Sequence, residues 1–249
     1  MDLFLSSEAW KELSSDYSLA MGQVSQQSIK ALPLSELLNE EQCRAYVEWL
    51  MEHIGSPNVS VASSMLVKRI ASLLVAPVFS AMTYYNRGIG AQLEHCHLFH
   101  LDASTVSTAF PFMTLSDVQV TAPEAINREA WRAGIVKQLF AESLTPLMKI
   151  LAAVGSVSMA TLWENVMARI APVYSHHEEQ DEELRQRMRD DFFFIAMSAS
   201  GELYGMRKNP FTSFIEKHEA NRIVGRSKRL TCCLYYQMAP EYCLKCPKQ

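Results

Sequence analysis

Four of the six cysteines fall within fifteen positions near the end of this 249-residue chain, as Cys232-Cys233, nine intervening residues, and Cys243-Leu-Lys-Cys246. Such a thiol cluster can form disulfides, close around zinc, or hold an iron–sulfur group. The chain opens Met-Asp-Leu-Phe-Leu-Ser-Ser-Glu, without a basic leader segment or a small-residue cleavage site, so the expected compartment is the reducing cytoplasm, where dense thiols serve metals or catalysis. A four-cysteine zinc site usually draws on two spaced pairs, each wrapping one side of a tetrahedron. Cys243 and Cys246 suit that geometry. Cys232 and Cys233 are adjacent, point apart, and chelate a single small ion poorly. A [2Fe–2S] group is longer and takes ligands at two irons, so it accommodates adjacent cysteines more easily. The spacing alone leaves both metals open.

Other constellations are weaker. In Glu94-His-Cys-His-Leu-Phe-His100, a strand would place His95 and His97 on one face and Cys96 on the other. No third ligand can be named, so a polar strand edge is the expectation, and His100 has no assigned role. His176-His177 read as surface residues at a helix start, and Cys43 as a buried, inert thiol. Gly88-Ile-Gly90 lacks the third glycine and preceding strand of a dinucleotide loop, and neither a Walker loop nor a nucleophile elbow is present. Electrons are therefore expected from another protein or reductant rather than from bound NAD or flavin.

Arg229-Leu-Thr-Cys-Cys-Leu-Tyr-Tyr236 followed by Cys243-Leu-Lys-Cys246 resembles the C-terminal motif of the FhuF family of ferric-siderophore reductases. The spacer here is one residue shorter than is usual in that family, a change to which loop-closure entropy responds weakly. Fainter similarity lies in the helical segment 64–82, with its mid-segment proline, and in Thr161-Leu-Trp-Glu-Asn165. The resemblance implies a [2Fe–2S] cofactor held by Cys232, Cys233, Cys243 and Cys246. It also implies one-electron reduction of Fe3+ in a hydroxamate-type siderophore, and an external donor such as a ferredoxin, flavodoxin or reductase. A zinc-stabilised scaffold and an iron–sulfur redox sensor are the alternatives.

Around the cysteines the charge changes sign. From residue 221 onward there are six basic residues against one acidic, a local charge of +5 in a chain of −4. Cations beside an anionic thiolate centre stabilise its reduced form and attract anionic partners. Arg222, Arg226, Lys228, Arg229 and Lys245 are the expected docking residues for a siderophore or donor. The overall charge and a pI near 6.0 argue against a nucleic-acid partner.

The elements that must position this chemistry read as mainly helical. Apolar spacing predicts helices over 8–25, 34–54 and 60–85 (the last either one long helix or a pair broken at Pro77), from Pro123 to about Phe140, and over 145–153 and 159–170. Another starts at a Ser175-x-x-Glu178 capping box, acidic first and basic later, and continues through Phe192-Phe-Phe-Ile195 into the core. Alternating residues between 91 and 122 predict a small antiparallel sheet, including a strand through Val106, Thr108 and Phe110. The longest apolar stretch, 70–82, is short of the ~20 residues that cross a bilayer, so no transmembrane segment is expected. The fold class is α+β: a mainly helical single domain with a small antiparallel sheet and a C-terminal iron–sulfur tail. Residues 1–220 form the body and 221–249 the cofactor-binding segment.

Overall fold

The structure is a computed structural model and describes residues 5–102, 104–123, 127–175, 180–217, 223–239 and 241–249. The helices begin where small polar side chains cap free backbone N–H groups. Ser6 accepts from Ala9 N at the start of α1 (Ser7–Tyr17), Asn39 from Gln42 N at α2 (Glu40–His53), and Asn58 from Val61 N at α3 (Val59–Ile70). A 3-10 turn, Leu34–Leu38, precedes α2. The expected helix over 8–25 stops at Tyr17 because Ser18 turns into the left-handed region at φ 56°, and Leu19–Met21 then forms strand β1.

Pro77 does not break its helix. α3 passes through a π-helical segment, Ala71–Val75, into α4 (Ala76–Tyr84), giving one run of 26 residues. Proline removes a backbone donor and crowds the carbonyl four residues back, and the wider π turn before it relieves both effects. The same device recurs at Pro146. There α5 (Arg128–Val136) continues through the π segment Lys137–Leu144 into α6 (Thr145–Gly155). Val59–Tyr84 is long and apolar enough to cross a membrane by composition, and 83% of its most apolar window is buried inside the fold. Its burial identifies a central core helix, longer than the apolar stretch read from the sequence.

α7 (Met159–Val173) lies against α3 and α4, and α8 (Glu182–Phe193) against α4. The capping box at 175–178 falls largely outside the described residues. α8 is instead capped by Asp181, which accepts from Leu184 N. Its acidic and basic residues pair with one another, Arg185 to Glu182 at 2.7 Å and Arg189 to Glu182 at 2.9 Å, on an exposed face. Phe192, Phe194 and Ile195 are buried as expected, whereas Phe193 faces solvent. The start of the helix expected at Pro123 is likewise undescribed at 124–126; α5 begins at Arg128 under an Asn127 cap.

The main sheet has the order β1-β5-β4-β2, with β2 at Lys30–Pro33, β4 at Cys96–His100 and β5 at Phe112–Leu115. β2, β4 and β5 pair antiparallel, but β1 joins β5 in parallel. The sheet is therefore mixed rather than purely antiparallel, because an N-terminal strand arriving from α1 fills its edge. Two small ribbons accompany it: β3 (Gly88–Ile89) with β6 (Val120–Thr121), and β7 (Ile215–Lys217) with β8 (Ile223–Gly225). The strand expected through 106–110 is a loop. Asp102 Oδ1 accepts from Ser104 N and Oγ, and Thr108 Oγ1 from Phe110 N, so side chains take bonds that a ladder would need. The architecture is the expected α+β class, helices dominating.

β4 is an interior strand, which changes the reading of the histidines. His95 precedes it, and His97 Nε2 lies 3.2 Å from Ser116 Oγ. His100 is 1% exposed, with Nε2 2.9 Å from the Tyr46 hydroxyl and its ring edge-on to Trp49 and His53. Burial above all, then the charge of His53, lowers its pKa from 6.5 to about 4. The unfolded chain thus binds a proton that the native state resists, and stability falls as pH drops from 6.5 toward 4, by up to about 3 kcal/mol. Urea titrations across that window should show this slope, and His100→Gln should flatten it. An unchanged slope in the variant would assign the acid sensitivity elsewhere.

Candidate metal centre

The site is built on two buried polar residues of α7. Glu164 and Asn165, 3% and 0% exposed, project from a helix whose other residues are largely apolar, and both are satisfied by the tail. Glu164 Oε1 accepts from Leu230 N at 2.7 Å and Oε2 from Thr231 N at 2.7 Å, and the Thr231 hydroxyl also donates to Oε2. Arg229 is buried against them, its Nε 3.5 Å from Glu164 Oε2 and its Nη2 donating to Asn165 Oδ1 at 2.8 Å. Asn165 Nδ2 in turn donates to Ser64 O and Oγ, each at 2.9 Å, and Ser64 Oγ donates to Cys233 O at 2.8 Å. An unbroken polar chain therefore runs from α7 through α3 to the backbone of the cysteine pair. It fixes the tail at Leu230–Cys233.

Beyond Cys233 the chain reverses. Leu234 adopts the left-handed conformation at φ 68°, which turns its N–H onto Cys232 Sγ at 3.4 Å. Cys233 packs with Val61 and Met65 of α3, under Phe110, Leu234, Tyr235 and Met238. The second pair returns beside the first. Arg229 N donates to Lys245 O at 3.0 Å, Cys246 N donates to Cys243 O at 2.9 Å, and Cys233 and Cys243 sulfurs lie 3.9 Å apart. Cys233 and Cys246 are buried, Cys232 and Cys243 partly so.

All six cysteines are free thiols. The 3.9 Å sulfur separation is far beyond a disulfide bond of ~2.04 Å and near the roughly 3.8 Å edge of a thiolate tetrahedron with ~2.3 Å metal–sulfur bonds. Among the described residues, no group of three or more His, Cys, Asp and Glu side chains is gathered for a single metal ion. Burial raises the pKa of Cys232 and of Cys243, and the charges of neighbouring thiolates raise them further, those of Cys233 and Cys246 acting on both. Cys232 and Cys243 thus resist ionising unless positive charge joins them, which is the chemistry of a metal-binding donor set. The chemistry of these donors suits a cationic group, and one sulfur of each pair, Cys233 and Cys243, stands at a metal-sharing distance.

The cations nearest the thiols come from the helices. Lys68 Nζ is 4.0 Å from Cys233 Sγ and sits over the Tyr235 ring. Burial lowers its pKa while the charge of Cys233 opposes that shift. Arg169 of α7 is similarly desolvated and feels the same thiolate. The tail cations are mostly occupied. Arg229 is committed to the buried network and is not available for docking. Arg226 lies 3.6 Å from Glu216, Lys245 Nζ donates to the Arg226 carbonyl at 3.1 Å, and Lys228 donates to the carbonyl of Gln249. Arg222 lies outside the described residues. Sequence reasoning missed Ser64, Lys68, Glu164, Asn165 and Arg169 as site residues. Two of them, Ser64 and Asn165, sat at the edges of segments already singled out, but only the pairing of α3 with α7 brings them to the cysteines.

The remaining cysteines are structural. Cys43 and Cys96 are fully buried, and burial pushes their thiols up to about 11 and about 12.

Fold and site together define a mainly helical α+β protein whose terminal thiols are gathered against two core helices. Residues 64–222 match the family described as "Ferric iron reductase FhuF-like transporter". The chain belongs to that family. The matched region contains Ser64, Lys68, Glu164, Asn165 and Arg169 and ends before the first terminal cysteine, so it is independent of the thiol motif. No curated protein matches the sequence. Among solved structures, the chain is similar to the aerobactin synthetase IucC from a hypervirulent pathotype of Klebsiella pneumoniae, at 9% identity and a TM-score of 0.49. That alignment covers 76% of this chain and 36% of the synthetase.

Proposed function

We propose that this protein is a ferric-siderophore reductase, in which Cys232, Cys233, Cys243 and Cys246 hold a [2Fe–2S] group. Residues 1–220 form the body and residues 221–249 the cofactor-binding segment. The reading rests on one observation above others: in a chain of the ferric iron reductase-like family, a buried Glu164–Asn165–Ser64 network fastens the terminal thiols against the core helices. A [2Fe–2S] group bound there would supply one electron at a time.

The chain's own residues prepare that chemistry. Lys68 and Arg169 offset negative charge on the thiolates and favour a reduced, more anionic centre. The Leu234 N–H on Cys232 does the same at closer range. Val61, Met65, Tyr235 and Met238 limit water on the buried side, which strengthens these electrostatic effects. The substrate is Fe3+ wrapped by hydroxamate oxygens. Those hard donors hold Fe3+ far better than Fe2+, so a single electron loosens the complex without breaking a covalent bond of the siderophore. The electron arrives from an external ferredoxin, flavodoxin or reductase in the cytoplasm.

Anaerobically purified protein should contain about two iron and two sulfide per chain and give a paramagnetic signal after dithionite reduction. Mixing it with a ferric trihydroxamate should reoxidise it, and an Fe2+ chelator should speed net turnover, because each ~59 mV of unfavourable potential costs tenfold in a one-electron equilibrium. Colourless, zinc-loaded, sulfide-free protein would overturn the reading.

A further inference from the structure

The tail that carries the cysteines also presents an uncovered apolar face. Seven large apolar side chains are exposed among the described residues, and three of them, Leu230, Tyr242 and Leu244, lie in the last twenty positions. Leu244 is 99% exposed although it stands between Cys243 and Cys246. The turn joining those cysteines is closed by Cys246 N donating to Cys243 O, so it needs a backbone bond and no leucine. Leu230 comes to the same place through a second bond. Arg229 N donates to Lys245 O at 3.0 Å, which keeps the Leu230 and Leu244 Cα atoms within about 15 Å of each other. Tyr242, two residues before Leu244, stacks on Tyr236 with ring centroids 5.7 Å apart. Apolar side chains grouped in solvent beside a reactive centre mark a binding surface.

The rim of this face is cationic. Lys248 Nζ donates to the Tyr236 hydroxyl at 2.7 Å and lies 4.0 Å from the centre of that ring. Lys245 Nζ donates to the Arg226 carbonyl at 3.1 Å, and Lys228 Nζ to the Gln249 carbonyl. These acceptors are neutral, so the three ammonium charges stay uncompensated among the described residues. Arg226 and Arg229 differ, because Glu216 and Glu164 stand beside them. Glu241 is the single acidic residue from Leu230 onward. A second copy of this chain would set like charges against one another, so the face does not match itself. It matches an acidic partner with an apolar centre.

We propose that the face formed by Leu230, Tyr242 and Leu244, rimmed by Lys228, Lys245 and Lys248, docks an acidic [2Fe–2S] ferredoxin and is where the electron enters. The proposal rests on the reductase reading. One electron leaves the ferredoxin and passes to the group held by the four cysteines, with no proton or bond moved. Cys243 is partly exposed and adjoins Leu244, whereas Cys233 is buried against α3 and Tyr235. A partner that covers Leu244 therefore approaches the Cys243 edge of the site. Electron-transfer partners share small interfaces, for which a few apolar contacts and a ring of steering charges suffice.

Calorimetric titration of the full-length protein with an oxidised plant-type [2Fe–2S] ferredoxin tests the surface without electron transfer. Leu244→Asp should weaken binding about tenfold, by removing the apolar contact and setting a like charge against the acidic partner. Lys245→Glu/Lys248→Glu should weaken it about tenfold at low salt and hardly at all at high salt, where screening removes the attraction. Phe193→Asp, which alters an exposed aromatic side chain on α8, should leave the affinity unchanged. With reduced ferredoxin as donor, Leu244→Asp should slow reduction of the protein about tenfold. Reduction by dithionite, which is small and needs no docking face, should keep its wild-type rate. Iron and sulfide at wild-type levels show that the variants retain an intact tail. Absence of ferredoxin binding, or full affinity in both the Leu244 and the lysine variants, overturns the proposal. Capture by anionic phospholipid vesicles with no ferredoxin bound overturns it too, and assigns the face to a membrane. A protein that holds iron and sulfide yet ignores ferredoxin keeps the reductase reading and loses this surface. Zinc-loaded, sulfide-free protein ends both.

Discussion

Glu164→Ala is expected to release the tail and strip the protein of most of its bound iron and sulfide. The carboxylate is nearly inaccessible and accepts the Leu230 and Thr231 amides and the Thr231 hydroxyl, with the Arg229 guanidinium beside it. Removing it leaves three donors without their acceptor and a buried cation without its counter-charge. Breaking a buried charged pair from one side costs about 3–5 kcal/mol, more than a terminal segment held by few other contacts can sustain. The loss should be local. Leu230 and Thr231 amides should exchange rapidly with solvent in the variant while the helical core stays protected. Glu164→Gln should fall between, since an amide oxygen can accept one backbone N–H but does not balance Arg229. Full iron content together with slow exchange at Leu230 and Thr231 would show that the tail is held by something else.

The second large effect is global. Asp191 is fully buried near the end of α8, and its carboxylate is shared by Arg128 through two 2.7 Å bonds, by Arg132 at 2.9 Å and by the Thr83 hydroxyl at 2.9 Å. Thr83 in turn contacts the buried Tyr174 hydroxyl at 3.0 Å. One carboxylate thereby ties α4, α5, α7 and α8 together. Asp191→Ala strands two guanidinium groups and a hydroxyl, with an expected cost of about 3–5 kcal/mol. For a chain of this size that is a fall of roughly 6–20 °C in melting temperature. Combining Asp191→Leu with Arg128→Met should recover part of the loss, because the apolar replacement removes one of the two orphaned charges and leaves only Arg132. A melting temperature within a degree or two of wild type for Asp191→Ala would mean that the arginines find other partners.

Neither carboxylate stands out in the sequence. Glu164 sits between Trp163 and Asn165 in an apolar helix, and Asp191 follows a run of charges that reads as a solvated face. A buried acid is recognisable only from the groups that converge on it, and those come from segments far away in the chain. The same limit affected the docking cations. Arg229 belongs to the basic collar by composition, yet folding spends it on Asn165 and Glu164. Lys68, which lies against the Cys233 sulfur, and Arg169, which feels its charge, are separated from it by most of the chain or by an intervening ribbon. The caps at Asn39 and Asn58 are not read from the sequence, where apolar spacing places those helix starts at 34 and 60. Pro77 left two readings open for a related reason: its cost is local, but the π turn that absorbs it depends on the packing of the whole core helix.

The sequence by itself determined the helical class, the position of the thiols, and the chemistry open to them, since periodicity, capping and ligand type are properties of neighbouring residues. The tertiary structure decided which cation faces the thiols, which buried carboxylate holds the tail, and that β1 completes the sheet in parallel. Those outcomes depend on the packing of α3 and α4 against α7, a long-range choice set by burial of apolar faces and satisfaction of buried polar groups, and no short stretch of residues carries it.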